Sequence, residues 1–170
     1  MANLIRRQLT LFVEQEDATT IEKVRQMFNP KQSELIKSHV TLCREDEIEN
    51  LEAVIFNLSN LETTAIEIEF GKVTRFDNGK GVLLPAIPDN VKFQALRKQI
   101  LTGLFDNPRL QEPHITLMHP RNSTCTDEIY KEICNFDFPN SLTFKKIDLI
   151  EQVNGGQWTT LQTFPLAGRG

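Results

Sequence analysis

Two of the three histidines in this chain lie in nearly identical tetrapeptides. His39-Val40-Thr41-Leu42 recurs as His114-Ile115-Thr116-Leu117. A β-strand alternates its side chains between two faces, so each tetrapeptide places one imidazole and one hydroxyl together, with two apolar side chains behind them. An imidazole gives or takes a proton near neutral pH, and a hydroxyl can donate a hydrogen bond to an anionic oxygen. Two such strands facing one ligand indicate acid–base chemistry on a phosphate ester.

The duplication is what makes this pattern specific. A single string of this kind arises by chance in roughly a few per cent of chains of this length, and a pair is about a hundredfold rarer. We therefore interpret His39 and His114 as catalytic and Thr41 and Thr116 as phosphate-binding, rather than as two unrelated histidines at the edge of a core. The apolar residues of both tetrapeptides should anchor the strands in that core.

Composition limits the class of protein. The chain has 170 residues and a net charge of −4, which argues against a protein that coats long nucleic acid. A small site for one or two phosphates remains possible, because positive charge can be concentrated locally. We expect one domain over residues 1–170 without a linker, a monomer that contains no membrane span or secretion signal.

The three cysteines are an odd number without metal-type spacing, which indicates reduced thiols and a cytoplasmic protein. Cys43 directly follows the first tetrapeptide and is expected to be a core side chain rather than a reactive thiol. A metal site made of His39, His114 and His119 is disfavoured. His119 is five residues beyond His114, which turns it to the other face of a strand, and Pro120 ends the strand. We expect neither metal nor cofactor.

Periodicity and turn residues predict the remaining elements. Strands are expected at Leu4–Glu14, 37–44, Ile66–Phe70, Gly81–Leu84, around the second tetrapeptide, at Leu142–Val153 and at Gln157–Leu166. Helices are expected at Asp17–Phe28, from a capping box at Asp46, from Asp89 with Val91, Leu96, Ile100 and Leu104 inward, and from Thr126 to about Asn135. Asp77-Asn78-Gly79 is a hairpin-turn signal.

A unit of strand, helix, tetrapeptide strand, helix and strand thus occurs twice. The tetrapeptides lie 75 residues apart, close to half the chain, and an Asp-Glu-Ile sequence follows each one. The fold class is therefore α+β, with two similar lobes, each an antiparallel sheet backed by helices. The tetrapeptide strands should line an active-site groove between the lobes.

These residues resemble the two-histidine (2H) phosphoesterase superfamily, in particular its 2′-5′ RNA ligase-like and RNA 2′,3′-cyclic phosphodiesterase branch. The resemblance rests on Ser38–Leu42, on Pro113–Leu117, on the helix after each and on the final hairpin with Trp158. It implies a bilobal, pseudo-twofold fold and a metal-independent phosphodiesterase that acts on RNA 3′ ends or small cyclic nucleotides and leaves a 2′-phosphate.

Opening a 2′,3′-cyclic phosphate requires a base that activates water and an acid that protonates the leaving oxygen. We expect His39 to be the acid and His114 the base, with a bell-shaped pH profile. Relatives often carry an arginine near the site, and Arg44 and Arg121 each follow a tetrapeptide closely. They are weaker candidates for phosphate binding, because a solvated arginine at a strand end explains them equally well. The same holds for Lys80 at the hairpin tip.

Three other interpretations stay open. The same four residues would serve a 2′-5′ phosphodiester ligase or hydrolase on small RNA or nucleotides. A catalytically inactive module that binds RNA ends is a further alternative, and a purely structural α+β domain is the last. Binding of a cyclic-phosphate terminus without turnover would select the inactive module.

Overall fold

The computed structural model describes residues 2–166; Met1 and residues 167–170 lie outside the description. Within that range the strands are β1 (Ile5–Phe12), β2 (His39–Cys43), β3 (Ile66–Glu69), β4 (Thr74–Phe76), β5 (Gly81–Pro85), β6 (His114–Met118), β7 (Ser141–Phe144), β8 (Lys146–Val153) and β9 (Thr159–Pro165). The α-helices are α1 (Thr19–Phe28), α2 (Pro30–Leu35), α3 (Leu51–Ser59), α4 (Val91–Ile100) and α5 (Asp127–Cys134). No helix in the described range is long and apolar enough to cross a membrane.

The strands form a seven-stranded sheet in the order β4-β5-β6-β2-β1-β8-β9 and a two-stranded sheet of β3 and β7. All the pairings are antiparallel. The α+β class with antiparallel sheets backed by helices, predicted from the sequence, is confirmed. The pattern did not indicate how the two halves meet: they join edge to edge, because β2 pairs directly with β6 at Val40 and Ile115.

The core lies behind the two tetrapeptide strands. Val40, Leu42, Ile115 and Leu117 are buried there, together with apolar residues of α1, α3 and α4. Burying a side chain of this size contributes roughly 1.5–3 kcal/mol, and a one-residue slip of either strand would expose its apolar pair. The core therefore fixes which face of β2 and β6 carries the histidines and threonines.

Two helix starts differ from the sequence prediction. A short helix, α2, begins at Pro30 and was not predicted from the sequence; a proline is tolerated in the first helical turn. The capping box at Asp46 does not open a helix: Glu47 accepts a hydrogen bond from the Arg44 amide and turns inward to form a buried salt bridge with Arg97. Residues 45–47 form one 3₁₀ turn, and Asn50 caps α3 instead.

Two details of the second half also differ. Val91 is the first residue of α4 and is 71% exposed, so the expected inward position belongs to Phe93. The single strand expected over Leu142–Val153 is divided between β7 and β8, which lie in different sheets. The burial pattern changes phase there, from Leu142 and Phe144 to Ile147 and Leu149. This phase change in the apolar positions was a readable signal of the break.

Candidate active site

The four tetrapeptide residues occupy the corners of a rectangle on one face of the sheet. Val40 pairs with Ile115, so the antiparallel register puts His39 opposite Thr116 and Thr41 opposite His114. The histidines are therefore diagonal to each other, and so are the threonines. Diagonal cross-strand neighbours lie about 7–8 Å apart between backbones. All four side chains are half-buried.

Both imidazoles are held in the same way. The Nδ1 atom of His39 lies 2.7 Å from the Lys37 carbonyl oxygen, and the Nδ1 atom of His114 lies 3.0 Å from the Glu112 carbonyl oxygen. A carbonyl oxygen can only accept a hydrogen bond, so the proton of each neutral ring is on Nδ1. The Nε2 atom of each ring is left available for proton transfer.

The surroundings of His39 favour its neutral form. Burial lowers the pKa of His39 to about 4, and the charges of Arg25 and of a protonated His114 act in the same direction. The Lys37 carbonyl and Glu22 oppose this shift of the pKa. The Phe12 ring packs against the imidazole in an edge contact with 6.0 Å between centroids. His39 is therefore neutral at pH 7, and within residues 2–166 its Nε2 makes no hydrogen bond.

Gln8 is a residue of this site that the sequence analysis did not identify. It lies on β1, and its Nε2 donates to the Thr10 hydroxyl at 2.9 Å and reaches the Thr41 hydroxyl oxygen at 3.5 Å. A hydroxyl oxygen that accepts a hydrogen bond is oriented to donate its own proton elsewhere. No motif marked Gln8, because its role depends on the pairing of β1 with β2.

A groove of about 1140 Å³ lies beside His39, between α1–α2 and strands β1, β8 and β9. Its lining includes Phe12, whose ring contacts His39, and Lys37, whose carbonyl holds the imidazole. Lys146 and Trp158 also line it, whereas none of the four corner residues does. Its volume is slightly above the roughly 300–1,000 Å³ of a typical small-molecule site.

The weaker candidates lie at the margins. Arg44 and Arg121 are exposed, one directly after β2 and the other in the loop after β6, and Lys80 is exposed on the β4–β5 turn. The part of the chain that the structure describes shows no hydrogen bond from either guanidinium. His119 follows β6 in a loop, where its Nδ1 accepts from the Arg121 amide at 3.1 Å.

Burial lowers the pKa of His119, and Arg121 adds to that effect. Among residues 2–166, no three histidine, cysteine, aspartate or glutamate side chains form a cluster that could hold a metal ion. Cys43 is buried in the core, as expected, and burial raises the pKa of its thiol to about 12.

The sequence was compared with protein families and with curated proteins. The family model of the 2′-5′ RNA ligase superfamily matches residues 13–156 of this chain. "Putative phosphoesterase GK0864" of Geobacillus kaustophilus is 25% identical over 142 residues, which cover 79% of this chain and 82% of the relative. A second relative, "Putative phosphoesterase BCB4264_A1283" of Bacillus cereus, is 25% identical over 153 residues, which cover 86% of this chain and 88% of the relative.

The fold is also similar to solved structures. E. coli LigT in its apo form matches with a TM-score of 0.69 and 17% identity over 99% of this chain and 100% of LigT. LigT complexed with phosphate and with 3′-AMP matches with TM-scores of 0.66 and 0.63, at 16% and 15% identity over 98% and 96% of this chain and 100% and 98% of LigT. At these identities the similarity extends to the fold alone.

Proposed function

The chain belongs to the 2′-5′ RNA ligase superfamily, the 2H phosphoesterases, and on this premise we propose that it hydrolyses 2′,3′-cyclic phosphates of RNA ends or nucleotides without a metal ion. The product is a 2′-phosphate, and the site of action is the cytoplasm. His39 and His114 carry out the general acid–base catalysis, and Thr41 and Thr116 bind the phosphate.

The observation that carries this proposal is the pairing of Val40 with Ile115. This pairing puts the two histidines, each held at its Nδ1 by a backbone carbonyl, at diagonal corners of one face of the sheet. In-line displacement at phosphorus needs the attacking and leaving oxygens on opposite sides. Diagonal imidazoles suit that requirement better than neighbouring ones, because a base and an acid can then act on the two sides of the phosphorus atom.

In the proposed reaction, His39 is the base. Its neutral Nε2 takes a proton from water, whose oxygen forms a bond to phosphorus, and the bond from phosphorus to the 3′ oxygen breaks. His114, protonated on both ring nitrogens, gives its Nε2 proton to that 3′ oxygen. This order is the reverse of the one expected from the sequence, and the lowered pKa of His39 is the reason.

The threonines stabilise the charge that builds on the phosphoryl oxygens. Thr41 and Thr116 lie at the two remaining corners and donate hydrogen bonds to the non-bridging oxygens. Donors of this kind are fixed by the strands, so little reorganisation is required in the transition state. Gln8 keeps the Thr41 hydroxyl turned toward the phosphate.

Three further observations support a nucleotide-sized substrate. The groove of about 1140 Å³ has room for a nucleoside, and it adjoins the site through Phe12, whose ring contacts His39. The similar E. coli LigT has been crystallised with phosphate and with 3′-AMP. The net charge of −4 favours a short or small substrate over long RNA.

The test is a panel of 2′,3′-cyclic mononucleotides, RNA with a cyclic-phosphate end and 2′-5′-linked dinucleotides, with the products identified by chromatography and ³¹P NMR. We expect hydrolysis of the cyclic phosphates to 2′-phosphates, at a rate that EDTA leaves unchanged. His119→Ala is the matched control, because it removes a histidine outside the four corners and should keep the activity.

Three results would contradict this proposal. Cleavage or joining of 2′-5′ linkages alone would select the ligase-type reaction. Binding of a cyclic-phosphate end without turnover would indicate an inactive binding module. Loss of activity in EDTA, restored by a divalent ion, would contradict the metal-independent mechanism.

A further inference from the structure

The segment that leads into β2 is held at three consecutive carbonyls. The Ile36 carbonyl accepts from the Arg25 guanidinium at 2.7 Å, the Lys37 carbonyl holds His39, and the Ser38 carbonyl accepts from the Val13 amide at 3.1 Å. Glu22, which is paired with Arg25, accepts from the Ser38 amide at 3.0 Å. Arg25 thus holds the carbonyl before Lys37, and Glu22 holds the Ser38 amide, which belongs to the same peptide group as the Lys37 carbonyl. The carbonyl that orients the imidazole is therefore fixed on both sides by side chains of α1.

The segment that leads into β6 is held at the same three positions. The Gln111 carbonyl accepts from the Gln94 side chain at 2.6 Å, the Glu112 carbonyl holds His114, and the Pro113 carbonyl accepts from the Ala86 amide at 2.9 Å. Gln94 lies on α4, as Arg25 lies on α1. In each half, a helix that precedes the tetrapeptide in the chain, α1 or α4, thus supplies one side chain to the carbonyl three residues before the histidine.

The two supports differ in charge. Arg25 is 2% exposed, and a buried arginine is costly unless it is paired and fully bonded. Gln94 demonstrates that a neutral amide can bond a carbonyl at the equivalent position. Holding the carbonyl therefore does not by itself account for a buried ion pair in the first half.

We propose that Glu22 and Arg25 are positioning residues for His39, which fix its ring through the Lys37 carbonyl and set its proton affinity, while Gln94 positions His114 without charge. This inference rests on the proposed acid–base reaction. Three charged or titratable groups bear on His39: Glu22 and Arg25 of α1 and His114 of β6. The Arg25 guanidinium opposes protonation of the ring, and the Glu22 carboxylate favours it.

The sign of each effect can be measured by NMR titration of the His39 ring proton, which requires no activity. Arg25→Gln replaces the guanidinium by the amide that the second half uses, and should raise the pKa of His39 by roughly half a unit or more. Glu22→Gln keeps an oxygen that can accept from the Ser38 amide but removes the negative charge, so it should lower the pKa of His39. Arg25→Lys keeps the charge and should leave the pKa close to the wild-type value. Arg7→Gln, at a partly buried ion pair with Glu151 on the neighbouring strand, is the charge control and should leave the pKa of His39 unchanged.

The kinetic consequence is a separate measurement. Arg25→Gln should move the acidic limb of the pH profile of kcat/KM to higher pH. It should also lower kcat at the optimum pH roughly tenfold. Gln94→Leu should lower kcat without moving the pKa of His39. A role limited to stability would give shifts of the same sign, or none, in the Arg25 and Glu22 variants, and that result would overturn the proposal.

The two proposals fail in distinguishable ways. If the wild-type protein hydrolyses no cyclic phosphate but the pKa of His39 moves in opposite directions in the two variants, the reaction is wrong and the positioning pair stands. If hydrolysis occurs and the pKa of His39 stays fixed in folded Arg25→Gln and Glu22→Gln proteins, only the positioning role is wrong. Should Arg25→Gln not fold, the direction of the pKa shift in Glu22→Gln decides the proposal, with Arg25→Lys as the charge-conserving control.

Discussion

Each half of the molecule contains one of the two histidines, and both halves hold the imidazole in the same geometry but stabilise it with different side chains. In both, a backbone carbonyl two residues before the histidine holds Nδ1. The first half backs this contact with the buried pair Glu22–Arg25, and the second half uses the neutral Gln94. The first half also holds its threonine through Gln8, whereas within residues 2–166 the Thr116 hydroxyl has no such side-chain donor. A symmetric arrangement therefore gives two chemically equal groups unequal surroundings, which is what an acid and a base require.

The strongest test of this comparison is removal of each histidine. His39→Gln and His114→Gln should each lower kcat by roughly 10²–10⁴-fold, because each loses one proton transfer. The acidic limb of the pH profile of kcat/KM, expected near pH 4 in the wild type from the lowered pKa of His39, should be absent only in His39→Gln. Circular dichroism spectra that match the wild type serve as the folding control. If the acidic limb persisted in His39→Gln, the base would be another group.

The threonines give the next largest effect. Thr41→Val and Thr116→Val remove one hydroxyl each at nearly constant volume and should lower kcat by about 10²-fold, with little change in KM, because the donor acts mainly in the transition state. Steady-state kinetics on one cyclic mononucleotide measure both. A change confined to KM would show that the hydroxyls bind substrate and transition state equally.

Gln8 sharpens the difference between the halves. Gln8→Leu should lower kcat by about tenfold, because the Thr41 hydroxyl loses the hydrogen bond that orients it. The double variant with Thr41→Val should be no slower than Thr41→Val alone, whereas the double variant with Thr116→Val should show both losses. If the losses in kcat were additive in both double variants, Gln8 would not act through Thr41.

The smallest expected effect is on stability. The unfolded chain protonates His39 near pH 6.5, but the folded protein does so only near pH 4, so the free energy of unfolding falls as the pH drops through this interval. His39→Gln should lose less stability than the wild type over the same range, a difference of roughly a few degrees in the unfolding midpoint. Thermal unfolding at pH 7 and at pH 4.5 measures it. If the unfolding midpoints of the wild type and of His39→Gln fell equally between pH 7 and pH 4.5, another group would cause the loss of stability in acid.

Much of the site was readable from local pattern. Strand alternation alone assigned the four corner residues to one face and their apolar neighbours to the core, and the described structure places Val40, Leu42, Ile115 and Leu117 there. Turn and cap residues predicted the β4–β5 hairpin and the start of α5, whose N-cap is Thr126. The start of α3 was wrong, because Glu47 bonds Arg97, a partner 50 residues away that a local capping pattern cannot represent.

The sequence by itself determined which residue types share a face, because side-chain alternation is a property of a single extended strand. Only the tertiary structure decided that β2 lies beside β6, in a register that makes the histidines diagonal. It also decided which helix side chains reach the carbonyls before them, and it buried the His39 imidazole, which lowers its pKa. The reason is distance along the chain: strands 75 residues apart find their register through the burial of the whole sheet, and a pKa depends on every charge and on the solvent that the fold brings near or removes.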